Sequence, residues 1–135
     1  MTALRYMLDT NIVSDLVKNP SGRIASKVRE VGDEGLGVSV IVAAELRFGC
    51  AKRGSSVLTR QVEAVLSALL VAPFDQPADA EYADIRNQLE RSGRMIGPND
   101  LLIAAHARAL GVPLVTRNSA EFARVEGLRV ENWLE

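Results

Sequence analysis

The sequence has one cysteine, Cys50, one histidine, His106, and an aromatic content of only 4%. A single cysteine excludes a disulfide framework, and it favours the reducing environment of the cytoplasm. One histidine and one cysteine are too few for a His/Cys zinc site. With a single histidine, Ser–His and Cys–His catalysis are also excluded unless His106 is the base. So few aromatic residues also argue against a base-stacking platform for RNA.

Long apolar runs are absent as well, since no stretch of the sequence approaches the roughly 18 residues of a membrane span. The segment Met1–Arg5 lacks the basic and then apolar pattern of a signal peptide. We therefore expect a cytoplasmic protein without a membrane partner. The 16 basic and 17 acidic residues nearly balance, at a net charge of −1, which permits nucleic-acid binding without requiring it.

An alternation of short apolar runs and longer helical patterns is present throughout the 135 residues, a length that suits one domain over 1–135. The pattern predicts strands at Tyr6–Leu8, Leu36–Val38, Val71–Phe74, Pro113–Thr116 and Leu128–Val130. It predicts helices at Asn11–Lys18, Gly22–Val31, Val40–Ala51, Ser55–Leu70, Ala78–Arg91, Asn99–Leu110 and Asn118–Arg124. This order favours an α/β fold with a parallel sheet and helices on both faces. Sites in such sheets form at the carboxyl ends of strands.

Two aspartates occupy positions where such a site is expected. Asp9 directly follows the first strand, and the alternative interpretation is a turn or helix-capping aspartate. Asp100 lies in the first turn of the helix that Pro98 opens, where the helix dipole should keep it ionised. Its alternative is a simple helix-dipole aspartate. Asn99, beside it, is a candidate for orienting a ligand.

Glu45 is predicted to rise from an apolar helix face. Its neighbours three and four positions away are Ile41, Val42, Phe48 and Gly49. An ionised group on such a face is costly unless it is paired or bound to a cation. The alternatives are a buried pair with an arginine, or a position at the edge of the face that reaches water.

Asn118 follows the fourth predicted strand, where its amide can orient a ligand. Glu121 stands three residues later, so the two residues also resemble a capping box, which is the alternative interpretation. Three carboxylates brought together by such a fold would repel one another unless a cation neutralised them. Oxygen ligands suit Mg²⁺ or Mn²⁺, and carboxylate-bound Mg²⁺ is the usual apparatus for hydrolysing phosphate esters.

Four segments together resemble the PIN-domain ribonucleases, most closely the VapC toxins of bacterial toxin–antitoxin pairs. They are Met7–Asn11, Ser39–Gly49, Ile96–Ala107 and Leu114–Phe122. They occur in the expected order and spacing over nearly the whole chain.

The resemblance implies a three-layer α/β/α sandwich with a mainly parallel sheet of four to five strands. It implies that Asp9, Glu45 and Asp100 bind the metal and that Thr10 and Asn11 support the first strand. The fourth position, often Asp in the family, is Asn118 here and adds no charge. The implied activity is Mg²⁺-dependent endoribonuclease cleavage, often of tRNA or rRNA. The implied partners are a VapB antitoxin and a second copy of the chain.

Substrate contacts are expected near these acids, from Thr10, Asn11 and Asn99 and from Arg94 in the loop before Pro98, which can meet a phosphate. Two other functions stay open. One is a non-catalytic module whose acids bind a basic tail, which the uncharged Asn118 keeps open. The other is a phosphatase with Asp9 as nucleophile, but Asn11 stands where that chemistry uses a second aspartate.

Overall fold

A parallel sheet organises the protein in a computed structural model, which describes residues 3–32 and 34–134. The strands are β1 (Tyr6–Leu8), β2 (Leu36–Ser39), β3 (Leu70–Ala72), β4 (Leu114–Val115) and β5 (Val130–Glu131). Their order across the sheet is β3-β2-β1-β4-β5, and every neighbouring pair is parallel. Met1 and Thr2, part of the segment considered for a signal peptide, lie outside the described residues.

Helices connect the strands. They are α1 (Thr10–Lys18), α2 (Arg23–Val31), α3 (Val40–Arg53), α4 (Ser56–Ser67), α5 (Ala78–Ser92), α6 (Pro98–Leu110) and α7 (Ser119–Phe122). In β1, Met7 and Leu8 point to opposite faces of the sheet, and each is 0% exposed. Both faces of the sheet are therefore covered, which confirms the predicted α/β/α fold with a parallel sheet. No helix of the described residues is long and apolar enough to cross a membrane.

The boundary between α4 and β3 differs from its prediction. The helix ends at Ser67 rather than Leu70, and the strand covers Leu70–Ala72 rather than Val71–Phe74. Leu70 already pairs with Gly37 of β2, so sheet pairing outweighs the helical periodicity at this position. Pro73 follows the last paired residue, and β3 is an edge strand, as the proline predicts.

The strand order places a crevice at the carboxyl ends of β1 and β4. The chain builds β1, β2 and β3 outward in one direction and then returns to place β4 on the other side of β1. Connections therefore leave β1 and β4 toward opposite sides, and the space between them opens where the strands end. This switch in direction is the usual position of a ligand site in an open parallel sheet.

Candidate active site

Asp9 lies at this crevice, directly after β1, and is only 3% exposed. Its backbone N–H donates to the Val115 carbonyl of β4 at 2.8 Å, which ties it to the neighbouring strand. Its carboxylate caps α1 by accepting from the Thr10 N–H at 2.8 Å. It also accepts from Thr116 Oγ1 at 2.7 Å. Asp9 is therefore a helix cap, and its second oxygen is held in place from β4.

The environment of Asp9 disfavours its charge. Burial is the main cause that raises the pKa of Asp9, and the hydrogen bonds from Thr116 and Thr10 oppose it. The negative charges of Glu45 and Glu121 raise the pKa further, so the net displacement is upward. The carboxylates of Glu45 and Glu121 thus lie close enough to repel the charge of Asp9.

Asp100 lies in the first turn of α6, where the helix dipole was expected to keep it ionised. Instead, its pKa is raised to about 7, chiefly by burial and then by the charges of Asp9, Glu121 and Glu45. A hydrogen bond with Glu121 adds to the effect, so the two carboxyl groups are close enough to share a proton. A helix dipole contributes only about 0.3–1 kcal/mol, which burial and three like charges outweigh.

Glu45 joins three helices at the site. One carboxylate oxygen accepts from Thr10 Oγ1 of α1 at 2.5 Å, and the other accepts from Asn99 Nδ2 of α6 at 3.2 Å. The predicted apolar face around it is only half present, because Phe48 is 67% exposed. Glu45 is half-buried at the edge of that face. The alternative of a buried arginine pair is not seen in the described residues, since Arg47 pairs with Glu63 at 2.9 Å.

Glu121 is the fourth carboxylate at the site, and its spacing from Asn118 predicted only a capping role for it. Its Oε1 accepts from the Gly97 N–H at 3.4 Å, just before α6, and its charge acts on both Asp9 and Asp100. The capping box is not formed, because the Asn118 side chain makes no capping bond to α7. The sequence held one indication that Glu121 belongs to the site. It lies about one helical turn after the segment that ends the fourth strand.

Asn118 is exposed, and its backbone N–H donates to Thr116 Oγ1 at 3.0 Å. That bond connects it to the residue that holds Asp9. The role of its side chain in orienting a ligand stays a prediction.

Of the predicted substrate contacts, three lie among the acids and one does not. Thr10 and Asn99 hold Glu45, as described above. Asn11 donates from Nδ2 to Asp9 at 3.4 Å and accepts the Arg117 N–H at 3.0 Å. Arg94 is exposed in the loop before α6, and within the described residues its side chain enters no ion pair. The structure does not bring Arg94 into contact with these acids.

We call Asp9, Glu45, Asp100 and Glu121 the acid cluster. Its donors are carboxylate oxygens, and burial and then the neighbouring negative charges raise the pKa of Asp100. This set fits a hard divalent cation. In residues 3–32 and 34–134, no three His, Cys, Asp or Glu side chains are arranged to hold an ion on their own. The two observations agree, because Mg²⁺ usually takes one or two carboxylates and keeps several waters.

His106 lies apart from the acid cluster, in the core, at 1% exposed. Its Nδ1 is 2.7 Å from the Oγ of Ser39, whose oxygen already accepts the Ile41 N–H as the cap of α3. The Ser39 hydroxyl can both donate and accept, so this bond is compatible with either tautomer of a neutral imidazole. Burial lowers the pKa of His106, which favours the same neutral form.

The PIN domain family matches residues 6–128 of this chain. The match covers most of the chain and includes every member of the acid cluster, so the protein belongs to the PIN-domain family. The predicted resemblance to this family is confirmed.

Within that family the chain is similar to VapC proteins. It is 39% identical to Ribonuclease VapC2 of Haemophilus influenzae, over 97% of this chain and 99% of the relative. It is 36% identical to the tRNA(fMet)-specific endonuclease VapC of Shigella flexneri, over 96% of this chain and 98% of the relative. Its fold matches the crystal structure of VapBC2 from Rickettsia felis bound to a DNA fragment from their promoter, with a TM-score of 0.87. That match has 35% identity and covers 96% of this chain and 99% of the other.

Proposed function

We propose that the protein, as a single PIN domain over residues 1–135, is a metal-dependent endoribonuclease and the toxin of a VapBC-type toxin–antitoxin pair. The observation that carries the proposal is the acid cluster at the carboxyl ends of β1 and β4. Asp9, Glu45 and Asp100 would hold Mg²⁺, or Mn²⁺, directly or through water, with Glu121 beside them. A bound divalent cation lowers the pKa of water and neutralises charge that develops on a phosphodiester.

The side chains around the cluster orient its carboxylates. Thr116 and the Thr10 N–H fix both oxygens of Asp9, and the Thr10 hydroxyl and Asn99 fix both oxygens of Glu45. Thr10 therefore positions two acids at once, through its backbone and its side chain. Such preorganisation matters for hydrolysis because the acids need not rearrange when charge develops on the phosphate. Asn118, at the exposed rim, is proposed to orient the attacking water.

Glu121→Gln is expected to reduce RNA cleavage more than Asn118→Ala does. Glu121 carries a charge that acts on both Asp9 and Asp100, whereas Asn118 is exposed and contributes a neutral amide. We expect a loss of about tenfold or more for Glu121→Gln, which is less than the roughly 10²- to 10³-fold loss typical of one preorganised group because Gln keeps the shape of the side chain. Initial cleavage rates at saturating Mg²⁺ check this. A larger loss for Asn118→Ala would assign the fourth position to Asn118.

The substrate and partners follow from the relatives. The Shigella flexneri relative is named a tRNA(fMet)-specific endonuclease, and the similar structures include three of VapBC and a toxin–antitoxin complex from Klebsiella pneumoniae. We propose a structured RNA, either tRNA or rRNA, as substrate, a VapB-type antitoxin as partner, and a homodimer that assembles with it. An enzyme that cleaves these RNAs must meet them in the cytoplasm, so a cytoplasmic location is part of the proposal.

The test is cleavage of total RNA by the purified, antitoxin-free protein, with the new RNA ends mapped by sequencing. We expect a few discrete cuts with Mg²⁺ and none with EDTA. Asp15→Asn is a matched control, because it removes a carboxylate from α1 outside the cluster and should leave the cuts unchanged. Equal cutting with and without EDTA would contradict metal dependence. The absence of cuts by folded wild-type protein in RNA from its own source would favour the non-catalytic alternative.

A further inference from the structure

A groove runs from the acid cluster along the surface between α1, α3 and α4. Its volume is about 290 Å³, and Thr10 and Glu45 form the wall at its inner end. Its floor is apolar and consists of Val17, Leu46, Cys50, Leu58 and Val62. The volume is at the lower end of the roughly 300–1,000 Å³ range of small-ligand pockets. The groove is therefore large enough for one ring system of a small ligand.

Two cations line the groove. Lys18 is the last residue of α1 and Arg53 is the last residue of α3, so both stand at helix C-termini, where positive charge is favourable. Both are exposed, and neither enters an ion pair within the described part of the chain. The groove thus has positive charge at its rim and leads to acids suited to phosphodiester hydrolysis.

Gly49 is one of the residues that line the groove. It lies inside α3, where glycine lowers helix stability relative to alanine. A Cβ at this position would meet nothing within 4 Å. A larger side chain can therefore be placed here without a clash inside the protein.

We propose that this groove binds one unpaired nucleotide of the RNA next to the cleaved phosphodiester. The base lies on the apolar floor, and Lys18 and Arg53 contact the flanking phosphates. A single-stranded RNA combines an apolar ring with a polyanionic backbone, which is the pairing of floor and rim found here. The inference rests on the proposed function and names a subsite for its substrate.

Gly49→Leu tests the floor of the groove. A leucine at this position enters the open space and is a better helix former, so the variant should fold at least as well as the wild type. We expect the KM for RNA to rise about tenfold, which corresponds to the loss of about 1.4 kcal/mol of apolar contact with the base, with kcat nearly unchanged. Ala51→Leu is the matched control, because it adds the same side chain to an exposed position of α3 outside this groove. Thermal melting verifies the fold of both variants.

Lys18→Ala and Arg53→Ala test the rim. Binding of a short fluorescent single-stranded oligoribonucleotide is measured across salt concentrations in an Asp9→Asn background, where the RNA stays intact. Each variant should bind more weakly and should lower the slope of log affinity against log salt by about 0.7, the value for one lost phosphate contact. Lys52→Ala, also on α3 but not lining the groove, should leave the slope unchanged.

The outcomes separate this inference from the proposed function. If the wild type cleaves RNA and Gly49→Leu cleaves with an unchanged KM, the groove is not a substrate site, although the protein is a nuclease. If Gly49→Leu keeps its KM but loses binding to the antitoxin, the groove takes a peptide, and the inference is overturned. If the wild type neither cleaves nor binds RNA, the proposed function itself fails.

Discussion

Replacing Asp9 with asparagine is expected to lower RNA cleavage by about 10²- to 10³-fold or more, the range for loss of one preorganised charged or donor group. Asp9 is the most buried of the four acids, and its oxygens are held by Thr10 and Thr116 at the crevice. An amide of the same shape lacks the charge that would bind a cation. The measurement is the initial rate on the RNA identified by end mapping, with Asp15→Asn as control. A variant that cleaves at the wild-type rate would remove Asp9 from the mechanism.

The same substitution should leave the fold intact, which makes the activity loss interpretable. The asparagine oxygen can still accept the Thr10 N–H and so cap α1. Its NH₂ group would face Thr116 Oγ1, whose hydroxyl can rotate and accept a hydrogen bond, and would give up only the long contact with Asn11 Nδ2 at 3.4 Å. Burial raises the pKa of Asp9, because the charged carboxylate is poorly solvated there. A neutral amide avoids this desolvation cost, which offsets the lost bond from Thr116. We therefore expect the free energy of unfolding to change by no more than about 1 kcal/mol.

The fold was predictable because its local signals agree. Asp9 and Ser39 cap the helices that follow β1 and β2, Pro98 opens α6, and Gly111 ends it in the left-handed conformation at φ 68°. The end of α4 was mispredicted because Leu70 suits either a helix or a strand. Pairing with Gly37 decides for the strand, and no local pattern contains that contact.

The site was predictable only in part. Asp9 directly follows a strand and Asp100 lies in the first turn of a helix, where the topology suggests a site, and Glu45 was indicated by its apolar neighbours inside α3. Glu121 was assigned to a cap because its spacing from Asn118 fits a local motif. Its side chain instead reaches the loop before α6, at Gly97, 24 residues away in sequence.

Glu121 also bears on the alternative of a non-catalytic module. That alternative depended on the missing negative charge at Asn118. Glu121 supplies a carboxylate whose charge acts on Asp9 and Asp100, so the alternative loses this support. The phosphatase alternative is weakened in a different way. Asn11 stands where that chemistry uses an aspartate, and its side chain is engaged with Asp9 and the Arg117 backbone.

Asp100→Asn is expected to abolish cleavage and, without a divalent cation, to stabilise the protein. The pKa of Asp100 is 3.8 ordinarily and about 7 in the folded protein, so the folded state holds this proton more tightly than the unfolded chain. That contribution to stability is fully present below about pH 4 and is lost as the pH rises through about 7. Asparagine never ionises. The stability of the variant relative to the wild type should therefore increase between these two pH values, and the difference should persist at higher pH.

Thermal and urea unfolding in EDTA measure this difference. Above about pH 7 we expect Asp100→Asn to be more stable by about 1–2 kcal/mol, a value reduced for solvent screening because the residue is only half-buried. Near pH 4 the two proteins should unfold alike. Asp79→Asn, in the first turn of α5, is the matched control for loss of a helix-dipole aspartate. Mg²⁺ should then stabilise the wild type and not Asp100→Asn, because binding to the folded state requires the ionised carboxylate. If EDTA and Mg²⁺ give the same stability difference between the two proteins, Asp100 is not a metal ligand, and its raised pKa serves another purpose.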